Sequence, residues 1–572
     1  MARWATDAGV AWLLLAVASI ASPAAQAQSW QLIAQAPPGP VSLCLLLTDA
    51  SVMCQSGPQW YRLSPSASGS YAAGGWSALA RFPPGYEPDA FASAVLADGR
   101  VVVVGGEYLA GNFALANAGA LYDPRTDHWS MLQRPPATGS PDHWACIGDA
   151  PATLLADGRL LVGSKLYQDA AVFDPKGLAW TLLATTGKRD SLNSEEGWTL
   201  LPDGSVLTLD VHNAPLAERL LIAPGASIAQ WISAGTTPSD LHTPTDVSGT
   251  LSAPGCPPYA PPGEVGPLLL RPDGSVFAVG ATGATALYAP PSAGSVATGA
   301  WIAGPSLPAG YQVADGPAAL LPNGHVLFGA SPGASGAGLR YFEFDGSKLV
   351  AMPAPANGAA DATYFTSLLV LPSGQVLFTD GTRLVDLYTP AASPSYAAGW
   401  APTIANVAAT LTRGASYAAS GTQFNGLGQA SAYGDESQNA TNYPLVRLTN
   451  VASGHVAYAR THDHSTMAVA TGPATVSTTF DVPGGVELGP ARLEVVANGI
   501  PSAAVDVTIV DPSAPPPPSG GSGSGGGGAF DAGTLAVLGV VAWLRMRRLR
   551  LFAARRAVVQ RDPEQAGPRP SI

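Results

Sequence analysis

Charge is scarce in this chain: of 572 residues only 12% are Asp, Glu, Lys or Arg, and 28 basic residues face 40 acidic ones. A formal charge of −12 excludes the basic footprint of a general nucleic-acid binder. Long apolar runs are missing as well. The two longest candidates, at 9–21 and 532–544, fall short of the ~20 residues that a membrane-spanning helix needs. No Ser-His-Asp order, phosphate-binding loop or HExxH zinc helix is present, which removes the common signatures of triad hydrolases, NTPases and zinc proteases. What is plentiful is turn-forming: 65 Gly and 53 Pro leave little room for long helices. An apolar fraction of 47% excludes a wholly disordered chain. The expectation is an all-β protein of many short strands, divided at ~100–200 residues per domain.

The two ends carry address rather than fold. Residues 1–27 begin with Arg3, continue into GVAWLLLAVASIA and end Ala25-Gln26-Ala27, the pattern of a secretory signal peptide; an uncleaved anchor is the alternative. Residues 511–528 (DPSAPPPPSGGSGSGGGG) form a linker, stiff in its Pro part and flexible in its Gly/Ser part. Residues 529–572 combine a short apolar segment with an Arg-rich end. This order resembles the C-terminal sorting tails of Gram-negative secreted proteins, which an intramembrane protease trims; a plain single-span anchor is the alternative. Positive charge holds the extreme end in the cytoplasm and leaves the folded body outside, at the cell surface or in the medium. Eight Arg against Asp562 and Glu564 make that end basic, so residues 28–544 carry −18.

An oxidising compartment permits disulfides, and four cysteines allow three connectivities. In VSLCLLLTDASVMC, Cys44 and Cys54 sit symmetrically about Asp49 and face each other if the segment is a hairpin. Cys146 and Cys256 are then left to each other.

One unit repeats: apolar run, tight turn, apolar run. It occurs as AVLADGRVVVVGG, TLLADGRLLVGS, TLLPDGSVLTLD, LLLRPDGSVFAVG, ALLPNGHVLFGA and LVLPSGQVLFTD, with turns at Asp98, Asp157, Asp203, Asp273, Asn323 and Ser373. A degenerate seventh copy turns at Asp49. Asp-Gly between apolar runs predicts a two-residue hairpin turn of the primed type, and spacings of 46 to 70 residues fit a four-stranded propeller blade. An outer half-blade follows in LYDPRTDHW, VFDPKGLAW, LYAPPSAGSVATGAW and LYTPAASPSYAAGW, each closing on a Trp that is expected in the core between blades. Residues 401–510 read as a separate β-sandwich of short alternating strands (YPLVRLTNV, HVAYART, ARLEVVANG, AVDVTIV).

These repeats resemble kelch-type propellers, in particular the galactose oxidase and glyoxal oxidase family, and the C-terminal strands look like the Ig-like early-set domain that follows the propeller there. The resemblance implies a seven-bladed kelch-like β-propeller over 28–400 followed by the sandwich over 401–510. It also implies a copper held by two histidines and two tyrosines, one tyrosine being cross-linked to a cysteine. Tyr364 matches one tyrosine, but Phe365 stands where the adjacent histidine belongs and has no lone pair for a metal. Ala90 occupies the place of the cross-linked tyrosine, with Tyr86 only loosely placed, while Thr461-His462 matches the second histidine. The expected protein is therefore a binding protein for an extracellular glycan or protein that lacks the full copper site. The alternative is an oxidoreductase or metalloenzyme working through Tyr364, His462 and His464.

Ahead of the inner strands stand Asp89, Asp149, Glu195 with Glu196, Glu264 and Asp315. Strand ends converge at a propeller mouth, and crowded carboxylates repel unless a cation lies between them. These residues, with His143, Trp144, Trp198 and Tyr364, are candidates for a Ca²⁺ site or a funnel for a cationic or polyhydroxyl ligand; ordinary solvated turn acids are the alternative. In His462-Asp463-His464 two histidines at i and i+2 of a strand would point the same way and suit a transition metal, with the family's loop geometry bringing His462 toward the acids. The alternative is a hydrogen-bonded loop that joins the domains.

Overall fold

The computed structural model describes residues 28–512 apart from 244–248, 262, 334–335 and 392–395. The expected leader at 1–27 and the tail at 529–572 lie outside the described residues, as does nearly all of the linker. Among the described residues no helix is long and apolar enough to cross a membrane. The described residues are all-β, with two short 3₁₀ turns, Thr363–Phe365 and Ala398–Trp400, between many small sheets.

Each sequence repeat forms the first two strands of a sheet built on four antiparallel strands; the fourth sheet adds Ala184–Thr186 in parallel at its edge and the sixth adds Ser431–Ala432 beside its first strand. The first sheet runs Cys44–Leu46, Val52–Ser56, Gln59–Ser64 and Gly75–Leu79. Five more follow in sequence, opening on Ala92–Val95, Ala152–Leu154, Thr199–Leu200, Leu268–Leu270 and Ala318–Leu320. The last begins at Ser367–Val370, has only three strands of its own, and takes Ser29–Leu32 from the start of the chain as its fourth. Neighbouring sheets touch through their first strands in sequence order, and the seventh touches the first. These strands are apolar on both faces because sheets flank them, which is why their sequences run LLL or ASAV instead of alternating.

The hairpin turns differ from the expected two-residue form. Leu96 and Arg100 pair across three residues, the Gly99 N–H closes on the Leu96 carbonyl, and only Gly99 has positive φ, at 84°. This is the three-residue hairpin with a bulge glycine. Asp98 keeps negative φ and accepts from the Arg100 N–H, so its role is to cap the turn, not to supply the left-handed residue. The degenerate copy makes the same turn with Ala50 at φ 61°. A left-handed Ala costs about 1–2 kcal/mol, and a Gly costs about 0.4–1 kcal/mol more unfolded-chain entropy. Ala50→Gly is therefore expected to stabilise the protein by about 0.5–1 kcal/mol in chemical denaturation; a loss of stability would refute the assignment of strain.

The outer tryptophans join neighbouring sheets. Trp129 packs against Trp60 of the preceding sheet and donates to the Ala80 carbonyl; Trp180 donates to Gln133 and Trp301 to Ala234 in the same way. Residues from Thr403 onward form a further nine-stranded sheet with its own core, which includes Leu411, Phe480 and Leu493. The structure contains both disulfides, Cys44–Cys54 across the first hairpin and Cys146–Cys256 between distant loops.

Candidate functional site

At the end of the first strands away from the hairpin turns, the lead-in segments bring Asp149, Glu195, Glu264 and Asp315 together. Three residues outside the repeat positions complete the group. Lys165, fully buried, follows the second strand of the third sheet and donates from Nζ to Asp149 Oδ2 at 2.7 Å and Glu195 Oε1 at 2.5 Å. Asp435 and Glu436 arrive from a segment beyond the seventh sheet: Asp435 accepts from the Glu195 N–H at 3.2 Å and from the Glu436 N–H at 2.9 Å.

That segment runs through the centre of the ring. Gln429 bonds Thr153 and Leu200 of the third and fourth sheets, Ser431–Ala432 pairs with Ala318–Leu320 of the sixth, and Ser93 of the second donates to Gln438. Asn439 donates to carbonyls of the first and seventh. A polar stretch there satisfies strand edges that face the axis, each of which would cost free energy if left bare.

Electrostatics follow from crowding out of water. Burial, with help from Asp149, pushes Glu107 up to about 8; burial takes Glu436 to about 7. Asp149 rises to about 6 because burial outweighs the opposing pull of Lys165. Asp315, Glu264 and Asp435 are raised well above the carboxylate range by burial, then by Glu264 at Asp315 and by Glu195 at the other two. Burial opposes the charge on Lys165, yet Asp149 and Glu195 hold it firmly protonated.

Above the acids opens a cavity of about 880 Å³ whose wall includes Asp89, Glu107, Glu264, Asp315 and Glu436. Tyr364 and Phe365 stand in the same wall, their rings 4.1 Å apart and 44% and 57% exposed. The Tyr433 hydroxyl supports them by donating to the Tyr364 carbonyl at 2.9 Å.

Several expected members lie elsewhere. Glu195 has a φ of 60°, and Glu196 is buried on a different set of partners, Lys188 at 2.7 Å and Trp198 Nε1 at 3.2 Å. Trp198 packs on Trp231 and Trp144 is fully buried in the core, so neither presents a face to the cavity. His143 stacks on Tyr167 and pairs with Asp169.

His462 and His464 are placed beside the Asp98 hairpin, at the other end of the first strands. The His464 N–H bonds the Ala97 carbonyl and Arg460 bonds the Asp98 carbonyl. The strand ends at His462, and Asp463 has a φ of 51°, so the alternation that would align the two rings is broken. Both ring nitrogens of His462 are held by Asp463 and Asp481, while His464 is buried against Thr478 with its pKa pushed down to about 3 by burial. The axial loop is Ser431–Asn439, not Thr461–His462. The residues present do not fit the copper site that the family resemblance implies: Tyr364 and His462 are not brought together, Phe365 offers no donor atom, and Tyr86 is buried with its hydroxyl on the Gly105 carbonyl.

No protein-family model matches the chain, and no curated protein matches it. Among solved structures it is similar to YjhT at 15% identity and a TM-score of 0.36, over 56% of this chain and 99% of that one. It is similar to YCF48 from Cyanidioschyzon merolae at 13% identity and 0.38, over 63% and 98%. For the extracellular domain of BT4673 from B. thetaiotaomicron the figures are 11% and 0.40 over 85% of this chain, which spans 59% of that domain.

Proposed function

We propose that the protein is an exported binding protein, at the cell surface or in the medium, which takes an extracellular glycan in the axial cavity. Residues 28–400 are read as a seven-bladed kelch-like β-propeller and 401–510 as an Ig-like early-set sandwich. The supports are the seven consecutive sheets, closed by Ser29–Leu32, and the separate apolar core beyond Thr403. Export is supported by the two disulfides, which persist in oxidising compartments. Residues 529–572 are read as a membrane segment or trimmed sorting tail.

The observation that carries the binding reading is the exposed Tyr364–Phe365 pair set in a carboxylate-lined cavity of about 880 Å³. An aromatic face packs against the C–H face of a sugar ring, and carboxylates accept from its hydroxyls. A volume of that order suits a short oligosaccharide better than the broad contact of a folded partner. A glycan array followed by calorimetry of the best hit provides the test. The double variant Tyr364→Ala, Phe365→Ala is expected to bind at least tenfold more weakly, about 1.4 kcal/mol. Unchanged affinity, or a wild type that binds nothing on the array, would sink the reading.

A further inference from the structure

Three sets of carboxylate oxygens at the axial end each lie within 4.8 Å of one another: Asp149, Glu195 and Asp435; Glu195, Glu264 and Asp315; and Asp315, Asp435 and Glu436. Oxygens around Ca²⁺ stand about 2.3–2.6 Å from the ion, so ligands on opposite sides are about 4.6–5.2 Å apart and neighbours are closer. Each set is thus compact enough for one ion. The first already has a cation, since Lys165 Nζ touches both Asp149 and Glu195. The other two share Asp315, and among the described residues Glu264, Asp315, Asp435 and Glu436 have no ion-pair partner within 4.0 Å.

Separate from the charge count, Glu264 Oε2 and Glu436 Oε2 are closed off from solvent and accept no hydrogen bond among the described residues, and Glu436 is only 8% exposed. A buried acceptor left alone costs about 1–3 kcal/mol, more when charged. The backbone makes room for this arrangement: a Cβ on Gly434 would stand 2.2 Å from Asp315 Oδ1, so no larger residue fits without moving that carboxylate.

We propose that Asp315, with Asp435 and Glu436, forms a Ca²⁺ site at the floor of the axial cavity, bordered by Glu195 and Glu264, which form a second set with the same Asp315. Only oxygen donors converge there, which suits a hard cation. The oxygens come from separate segments and include several carboxylates, a set that Ca²⁺ accommodates more readily than Mg²⁺, which keeps several of its waters. The site does not rest on the glycan reading, and each can fail alone.

The test is calorimetric titration of purified, chelator-stripped protein at pH 7.5 with Ca²⁺ and, in parallel, Mg²⁺. One Ca²⁺ is expected per chain, with at least tenfold weaker Mg²⁺ binding and a rise in melting temperature on Ca²⁺ addition. Asp315→Asn is expected to weaken Ca²⁺ at least tenfold and to abolish the thermal shift. If that variant does not fold, Glu436→Gln, in the cavity wall, carries the same comparison. No uptake by wild type at millimolar Ca²⁺, unchanged affinity in the folded variants, or a melting temperature raised by Asp315→Asn without any uptake each overturns the site; equal Mg²⁺ affinity overturns the choice of Ca²⁺.

Discussion

Lys165→Met is expected to destabilise the protein by about 3–5 kcal/mol at pH 8 in the presence of chelator. The side chain is fully buried and joins Asp149 to Glu195, so its removal leaves two carboxylates in the interior without their cation. Breaking one side of a buried ion pair costs about that much because the remaining charge has neither water nor partner. The pH dependence has a definite sign. Glu107, Glu436 and Asp149 titrate at about 8, 7 and 6 in the folded protein, above the ordinary carboxylate range near 4. Between those limits the folded state holds more protons than the unfolded state, so stability falls as pH rises through the window. Wild type without metal is therefore expected to be less stable at pH 8 than at pH 5, and Lys165→Met to show a steeper fall, since the ammonium that pulls Asp149 and Glu107 down is gone and both bind protons more tightly in the folded state. Denaturant melts at pH 5, 6.5 and 8 provide the check. A cost below 1 kcal/mol at pH 8, or one independent of pH, contradicts the view of Lys165 as the counter-charge of the cluster. Adding Glu195→Gln to Lys165→Met should recover part of the loss, because it removes one of the stranded charges.

What the sequence disclosed, and what it hid, divides along the range of the interactions involved. The hairpins were legible because Asp and Gly act within five residues: the aspartate caps and the glycine takes the left-handed position, and Ala50 retains the turn in the copy that lacks glycine. The repeats also fixed which acids stand at the mouth of the ring, so Asp149, Glu195, Glu264 and Asp315 were found by register alone. Side-chain direction at non-regular backbone was not legible. The positive φ at Asp463 breaks the alternation on which the pairing of His462 and His464 depends, and the offset ahead of the turn that marks Glu195 and Glu196 does not show that Glu196 turns to Lys188 instead. Lys165 lies on the far side of a hairpin, outside the repeat position that marks the acids, so the repeat does not disclose it. Asp435 and Glu436 belong to a segment that falls within the expected sandwich at 401–510, and the strand edges around it explain why Asp435, Glu436 and Asn439 are buried there.

Removing Cys146–Cys256 by paired Ser substitutions is expected to cost about 4–5 kcal/mol in the chain-entropy model, since the bridge closes 110 residues. The same change at Cys44–Cys54, which closes 10, is expected to cost about 2.5–3 kcal/mol. The shorter bridge also links residues that already face each other in an antiparallel ladder. The long bridge has a second consequence, which arises from where it lies. Cys146 is three residues before Asp149, and Cys256 sits in the excursion that returns through the Thr243–Glu264 bridge to the cavity wall. Its surroundings are a small apolar cluster of Leu115, Leu166, Ala253 and Tyr259, separate from the larger cores of the sheets. Among its described residues the excursion has little apolar burial of its own, and it depends on the disulfide to hold Glu264 near Asp315. The Cys146→Ser, Cys256→Ser protein is therefore expected to lose Ca²⁺ affinity at least tenfold under conditions where it remains folded, while Cys44→Ser, Cys54→Ser keeps wild-type affinity. Equal effects of the two pairs on Ca²⁺ would mean that the excursion is held by its packing alone and that the wall of the cavity is a rigid part of the ring.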